Sequence, residues 1–141
     1  LPQYQVAVLK ARSMRLLPLL RSISDAENVY FLANNTYSLD FSELDIEMPA
    51  GATVEAANKL TYNDFSCFLR KGENRDEHAS AYCNDTREKA PKIEKYFGKE
   101  YFICWGGSGE IATKVCKSIS GKTTADSLSG TSGGIKTGFS F

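Results

Sequence analysis

The stretch LPQYQVAVLKARSMRLLPLLRSISDAENVYFLAN, residues 1–34, decides the fold. Its apolar residues Leu9, Leu16, Leu20, Ile23 and Tyr30, with Ala26 and Ala33 between them, recur near the period of a helix that buries one stripe. Pro2 suits a first turn, or a kink in a longer helix that continues backwards. Pro18 sits deeper, where its missing N–H removes a hydrogen bond and bends the axis, so the pattern predicts one kinked helix over 1–34 rather than two separate ones. Asn34-Asn35 closes it, because asparagine tolerates the left-handed cap conformation.

Outward from this helix the periodicity changes. Residues 35–62 read as a connecting loop without a long element, in which Tyr37, Leu39, Phe41, Leu44 and Ile46 punctuate an acidic run before the turn at Met48-Pro49-Ala50-Gly51. From Asp64 the period is two: Phe65, Cys67 and Leu69 alternate with Ser66, Phe68 and Arg70, as in a strand covered on both faces. Residues 71–77 form a solvated hairpin tip, and Ala79 to Asn84 return as the partner strand. Lys99 to Trp105 has the strongest strand composition in the chain. After the break at Gly106-Gly107-Ser108-Gly109, residues 110–119 read as a short helix. The Ser/Thr/Gly-rich tail over 118–138 reads as loop, closing in Phe139-Ser140-Phe141 as an edge strand. The whole predicts an α+β domain over 1–141, its N-terminal helix (1–34) packed through a loop (35–62) on an antiparallel β-sheet region (63–141).

The bulk numbers narrow the function. With 17 basic and 17 acidic residues the formal net charge is zero, so no global field draws the chain to nucleic acid or anionic lipid. The distribution is uneven: residues 1–24 carry Lys10, Arg12, Arg15 and Arg21 and no acid, whereas 25–64 carry eight acids against Lys59 alone. No stretch approaches the ~20 apolar residues of a membrane span. The chain opens at Leu1 and not at methionine, which reads as a processed or truncated product.

Four cysteines, Cys67, Cys83, Cys104 and Cys116, lie in the second half with no CxxC among them, a spacing that favours two disulfides and an oxidising compartment over a zinc site. Four cysteines permit three pairings. A hairpin tip near residue 75 puts Cys67 and Cys83 at similar distances from the turn, so we expect Cys67–Cys83, and Cys104–Cys116 between the strong strand and the short helix.

Chemistry is hard to find. The only histidine, His78, lies beside Asp76 and Glu77 on the expected loop tip, where it reads as solvated rather than as the base of a nucleophile. Gly121-Lys122-Thr123 ends like a phosphate loop, but Cys116 stands where that motif needs glycine. Asp40, Glu43, Asp45 and Glu47 lack calcium-loop spacing and read as a solvated acidic loop. Asn34-Asn35-Thr36 and Asn84-Asp85-Thr86 match the glycan acceptor triplet without specificity. We expect no catalysis, no metal and no cofactor.

The opening Leu1-Pro2-Gln3-Tyr4-Gln5, followed by a mixed polar helix with a second proline at Pro18, resembles the point in type IV pilins and type II secretion pseudopilins where the hydrophobic N-terminal helix emerges. The loop, strands and cysteine-bearing C-terminal half follow in that family's order. The resemblance implies a pilin-like fold and a structural subunit whose partners are copies of itself, packed helix to helix in a filament with the sheets outside and no nucleic acid contact required. It further implies a missing N-terminal segment with a leader, a methylated first residue and roughly twenty apolar residues that anchor the full-length form in the inner membrane. The location is then the periplasm or bacterial cell surface. Four cysteines depart from the single disulfide of most pilins. A secretion pseudopilin is the alternative, and a secreted disulfide-stabilised binding module the second. For assembly we expect Tyr4 and the helix cations Lys10, Arg12 and Arg15 to face a neighbouring subunit's Glu43 and Asp45 across the interface, with the isolated domain folding independently of those charges.

Overall fold

The computed structural model of the protein describes residues 2–72, 75–87, 89–129 and 135–141. The N-terminal helix is present and bent: α1 spans Pro2–Met14 and α2 spans Leu16–Asn34, with Arg15 between them still in right-handed helical conformation at φ −67° and ψ −20°. Pro18 has no N–H to give to the Met14 carbonyl, and the Arg15 N–H reaches back only three residues, to Arg12 O at 3.2 Å. The axis therefore bends without the chain turning away. At the far end Asn35 takes φ 57° and its N–H closes the helix on Phe31 O at 2.8 Å.

Eight strands follow: β1 (Thr53–Ala56), β2 (Lys59–Tyr62), β3 (Phe65–Gly72), β4 (Arg75–Asp85), β5 (Lys92–Tyr96), β6 (Phe102–Trp105), β7 (Asp126–Ser129) and β8 (Ile135–Ser140), with α3 (Glu110–Ser120) between β6 and β7. They form one antiparallel sheet in the order β1-β2-β3-β4-β5-β6-β8-β7. The architecture is α+β, as the sequence predicts at that level.

The core lies between the helices and one sheet face. Leu16, Leu19, Leu20 and Ile23 of α2 meet Cys67 and Leu69 of β3, Ala79 and Ala81 of β4, Ile93 of β5 and Phe102 of β6, all of them buried. Alanines at the strand centre let the helix sit close, and each fully buried leucine or isoleucine contributes about 1.5–3 kcal/mol. Helix α1 packs against α3, which in turn covers β6 and β8. The turn before α3 needs its glycines: Gly107 has φ 57°, and a Cβ on Gly106 would stand 2.6–2.9 Å from Thr113.

Several expectations need correction. Residues 35–62 hold a 3₁₀ turn at Phe41–Glu43 and the hairpin β1–β2, so the sheet starts well before residue 63. Strand β1 is exposed along its length and β2 buries only Leu60, which leaves no alternation to read. The Asn63-Asp64 turn joining β2 to β3, with Asn63 at φ 50°, is a compact hairpin signal that the period-two reading began just after. The expected tip at 71–77 is shorter, because β3 runs to Gly72 and β4 starts at Arg75; residues 73 and 74 lie outside the described residues. His78 consequently belongs to β4, its side chain 12% exposed and 3.9 Å from Glu77, and is not a solvated loop residue. The strand expected over Lys99–Trp105 is confined to Phe102–Trp105, and β5 before it went unread. The tail forms β7 and β8 where described, and β8 is internal, so the edge strand is β7.

Two disulfides close the expected pairs. Cys67 and Cys83 face each other directly in the β3–β4 register with Cα atoms 4.1 Å apart, and Cys104 of β6 joins Cys116 of α3 at 5.3 Å. Each closes a short loop, so replacing Cys67 and Cys83 together by alanine is expected to remove ~3 kcal/mol of unfolding free energy in urea titration. Non-reducing peptide mapping should return only the 67–83 and 104–116 linkages.

Candidate assembly surface

The bent helix has two faces. Its inner stripe is the core stripe described above. On the opposite side, Tyr4, Ala7, Ala11, Met14, Pro18, Ser22, Asp25, Val29 and Leu32 are all exposed, and they follow one another at spacings of three and four. That spacing keeps them on one line along a helix, the seam geometry of helices that pack lengthwise on one another. Tyr4 is 71% exposed, Val29 64% and Leu32 87%; with Met14 they form most of the large exposed hydrophobic side chains among the described residues.

Of the side chains expected to serve assembly, three remain available and three are engaged inside the chain. Tyr4, Arg15 and Asp45 are exposed. Lys10 donates to the Ser118 carbonyl at 3.3 Å, tying α1 to α3. Arg12 is the larger correction. Its Nε donates to Asp85 Oδ2 at 2.6 Å, a second nitrogen stands 3.5 Å from Asp64, and its guanidinium lies 5.2 Å from the Phe65 ring centre. The Asp85 side chain is 3% exposed, so Arg12 neutralises a buried carboxylate at the end of the sheet and does not wait for another subunit. That hydrogen bond also raises the Arg12 pKa. Glu43 accepts from Tyr30 Oη at 3.0 Å and Ser38 Oγ at 2.9 Å, so it fastens its own loop to α2 and does not join Asp45.

The same loop is held by a residue that sequence reading passed over. Glu27 of α2 is fully buried, and its Oε1 accepts the Ser38 N–H at 2.8 Å. Its Oε2 has no hydrogen-bond partner among the described residues. Next to it, Asp76 of β4 accepts from Thr36 Oγ1 and from the Tyr37 N–H, with Lys71 at 3.6 Å. Burial pushes the Glu27 carboxyl up to about 7; the Ser38 N–H and Lys71 draw it down, while Glu43 and Asp76 add to the rise. A glutamate between Ala26 and Asn28 in a helix signals nothing by itself, and only the returning loop makes it a core position.

Asp45 instead shares an open cleft with Glu47 and Asp25, between α2 and the 45–50 segment, floored by Ala26, Val29, Ile46, Met48 and Pro49. Among the described residues no cluster of His, Cys, Asp or Glu could hold a metal ion, and no helix is long and apolar enough to cross a membrane. Compared with protein-family models, with curated proteins and with solved structures, the chain matches none.

Two outcomes follow from this geometry. A carboxyl whose pKa rises on folding favours the folded state fully below its unfolded value of 4.5, and that contribution is lost as pH rises through about 7. The unfolding free energy is therefore expected to fall from about pH 5 to about pH 8 by on the order of 3 kcal/mol, and Glu27→Gln should flatten the curve by raising its alkaline side. Arg12→Ala strands Asp85 and should destabilise the fold by ~3 kcal/mol in urea titration, against a change within ~0.5 kcal/mol for Arg15→Ala.

Proposed function

We propose that this chain is a structural filament subunit of the type IV pilin kind, which assembles through its N-terminal helix and catalyses no reaction. The observation that carries the reading is the exposed seam Tyr4, Ala7, Ala11, Met14 and Pro18 on a helix whose other face is already occupied by the core. A helix that is apolar on its solvent side has a reason to meet another helix there, and small residues at positions 7 and 11 permit close approach. The opening Leu1-Pro2-Gln3-Tyr4-Gln5, the bend near Pro18 and the sheet that follows the helix agree with the resemblance drawn from the sequence. Two disulfides favour a location outside the cytoplasm, where thiols are oxidised. The same surface serves a long surface pilus or a short secretion pseudopilus.

The test is to place Ala7→Glu and Ala11→Glu together in the full-length gene product and to count sheared filaments by electron microscopy. Filaments should disappear, while the unfolding free energy of the 141-residue chain in urea titration stays within ~0.5 kcal/mol of the parent because both positions are exposed. Normal filament numbers with both substitutions present would refute the reading.

A further inference from the structure

The cleft beside α2 has an apolar floor and a charged rim. Val29, Ile46 and Met48 line it, within a volume of about 650 Å³, and Asp25, Asp45 and Glu47 stand around them. Most of the other acids among the described residues are used internally. Asp64 and Asp85 hold Arg12, Asp76 holds Lys71, Asp126 holds Lys122, Glu43 takes two hydroxyls, and Glu94 is buried on Ser80 and Trp105. Asp25, Asp45 and Glu47 make no ion pair or side-chain hydrogen bond among the described residues. Three such acids thus meet at one groove; Glu100, exposed near Lys95, is a fourth that lies elsewhere, and Asp25 also acts electrostatically on Lys95.

The complement lies on another part of the same molecule. Residues 1–24 contain no acid, and of their four cations Lys10, Arg12 and Arg21 have internal occupations: a carbonyl, two carboxylates and the Phe102 ring. Arg15 stands exposed at the bend and makes no ion pair or hydrogen bond through its side chain among the described residues. Beside it Met14, 43% exposed, supplies an apolar side chain. A methionine and an arginine projecting together from a bend match a groove that is apolar at its floor and anionic at its rim.

We propose that the groove between α2 and the 45–50 segment receives the Met14–Arg15 bend of a second copy of this chain, with Arg15 reaching Asp25, Asp45 and Glu47 and Met14 settling on Val29 and Met48. The inference rests on the self-assembly reading above and adds the receiving site. Donor and acceptor are different surfaces of one molecule, so the contact is heterologous: each copy still offers a free bend at one end and a free groove at the other, and assembly propagates instead of closing as a symmetric pair. The charges set register and partner choice, and the apolar floor supplies the contact area.

Sedimentation equilibrium of the 141-residue chain tests this at about 50 mM and about 500 mM NaCl, which respectively lengthen and shorten the reach of exposed charges. The parent should self-associate, more weakly at high salt. Arg15→Glu alone, and Asp45→Lys with Glu47→Lys, should each weaken association by about tenfold or more. An equimolar mixture of the two variants should regain it, because the reversed bend of one fits the reversed groove of the other. All these positions are exposed and unbonded within the chain, so thermal unfolding should be unchanged in every variant. A mixture no more associated than its components, or a parent that stays monomeric at low salt, overturns the groove as receiving site. The filament reading answers separately to Ala7→Glu and Ala11→Glu in cells: filaments lost there but insensitive to Arg15→Glu leave the subunit reading standing and remove only the groove.

Discussion

Burial of Leu16, Leu20 and Ile23 over the middle of the sheet is the contact from which the rest of the arrangement follows. It fixes the rotation of α2 about its own axis, and a helix rotated so that one stripe faces the sheet must turn the stripe half a turn away toward solvent. The sheet is shaped to receive it. Ala79 and Ala81 keep β4 low beneath the helix, and the lysine that β5 carries on the same face, Lys95, is folded back so that its ammonium donates to the carbonyls of Tyr96 and Lys99 with Ser24 Oγ at 3.4 Å. Burial lowers the Lys95 pKa, yet those oxygens let a cation sit under a helix without opening the core. The exposed seam on the far side is thus a geometrical consequence of the buried one.

Charge is distributed by a second rule. Most ionised groups near the helix–sheet junction are used internally, to join elements that the core does not reach. Arg12 links α1 to the β2–β3 turn and the end of β4; Asp76 and Glu27 fasten the segment after α2; Asp126 joins Lys122 to the backbone and hydroxyl of Ser140. Of the charges outside this internal set, Arg15, Asp25, Asp45 and Glu47 lie on the outer side of the bent helix and on the loop beside it. A neutral chain can therefore present one surface with a defined polarity although its overall field is nil.

How much of this was legible in the sequence depended on whether a residue's partner was local. The helix, its bend and its asparagine cap could be read because each depends on residues within one or two turns. The Cys67–Cys83 pair could be read because a hairpin makes the register a matter of counting. Strand β5 could not: Glu94 and Lys95 occupy buried central positions, tolerable for Glu94 only through the indole N–H of Trp105 and the Ser80 hydroxyl, and for Lys95 through the Tyr96 and Lys99 carbonyls and the distant Ser24 hydroxyl. Arg12 was misassigned for the same reason, since its carboxylates lie 52 and 73 residues away along the chain. The outward seam was visible as spacing at 4, 7, 11, 14 and 18, but the stronger leucine stripe drew the reading to the inner face. Asp25 as part of the acidic cleft needed the 45–50 segment brought back beside α2, which no local pattern encodes.

The two disulfides join neighbours in chain order, the first cysteine to the second and the third to the fourth, across separations of 16 and 12 residues. A chain that enters an oxidising space from its N-terminus presents Cys83 while Cys104 and Cys116 are still behind it, so at that moment Cys67 has a single available partner. By the time the second couple emerges, the first is sealed within β3 and β4. In such a passage, order of appearance selects one of the three possible connectivities, with little reliance on later reshuffling.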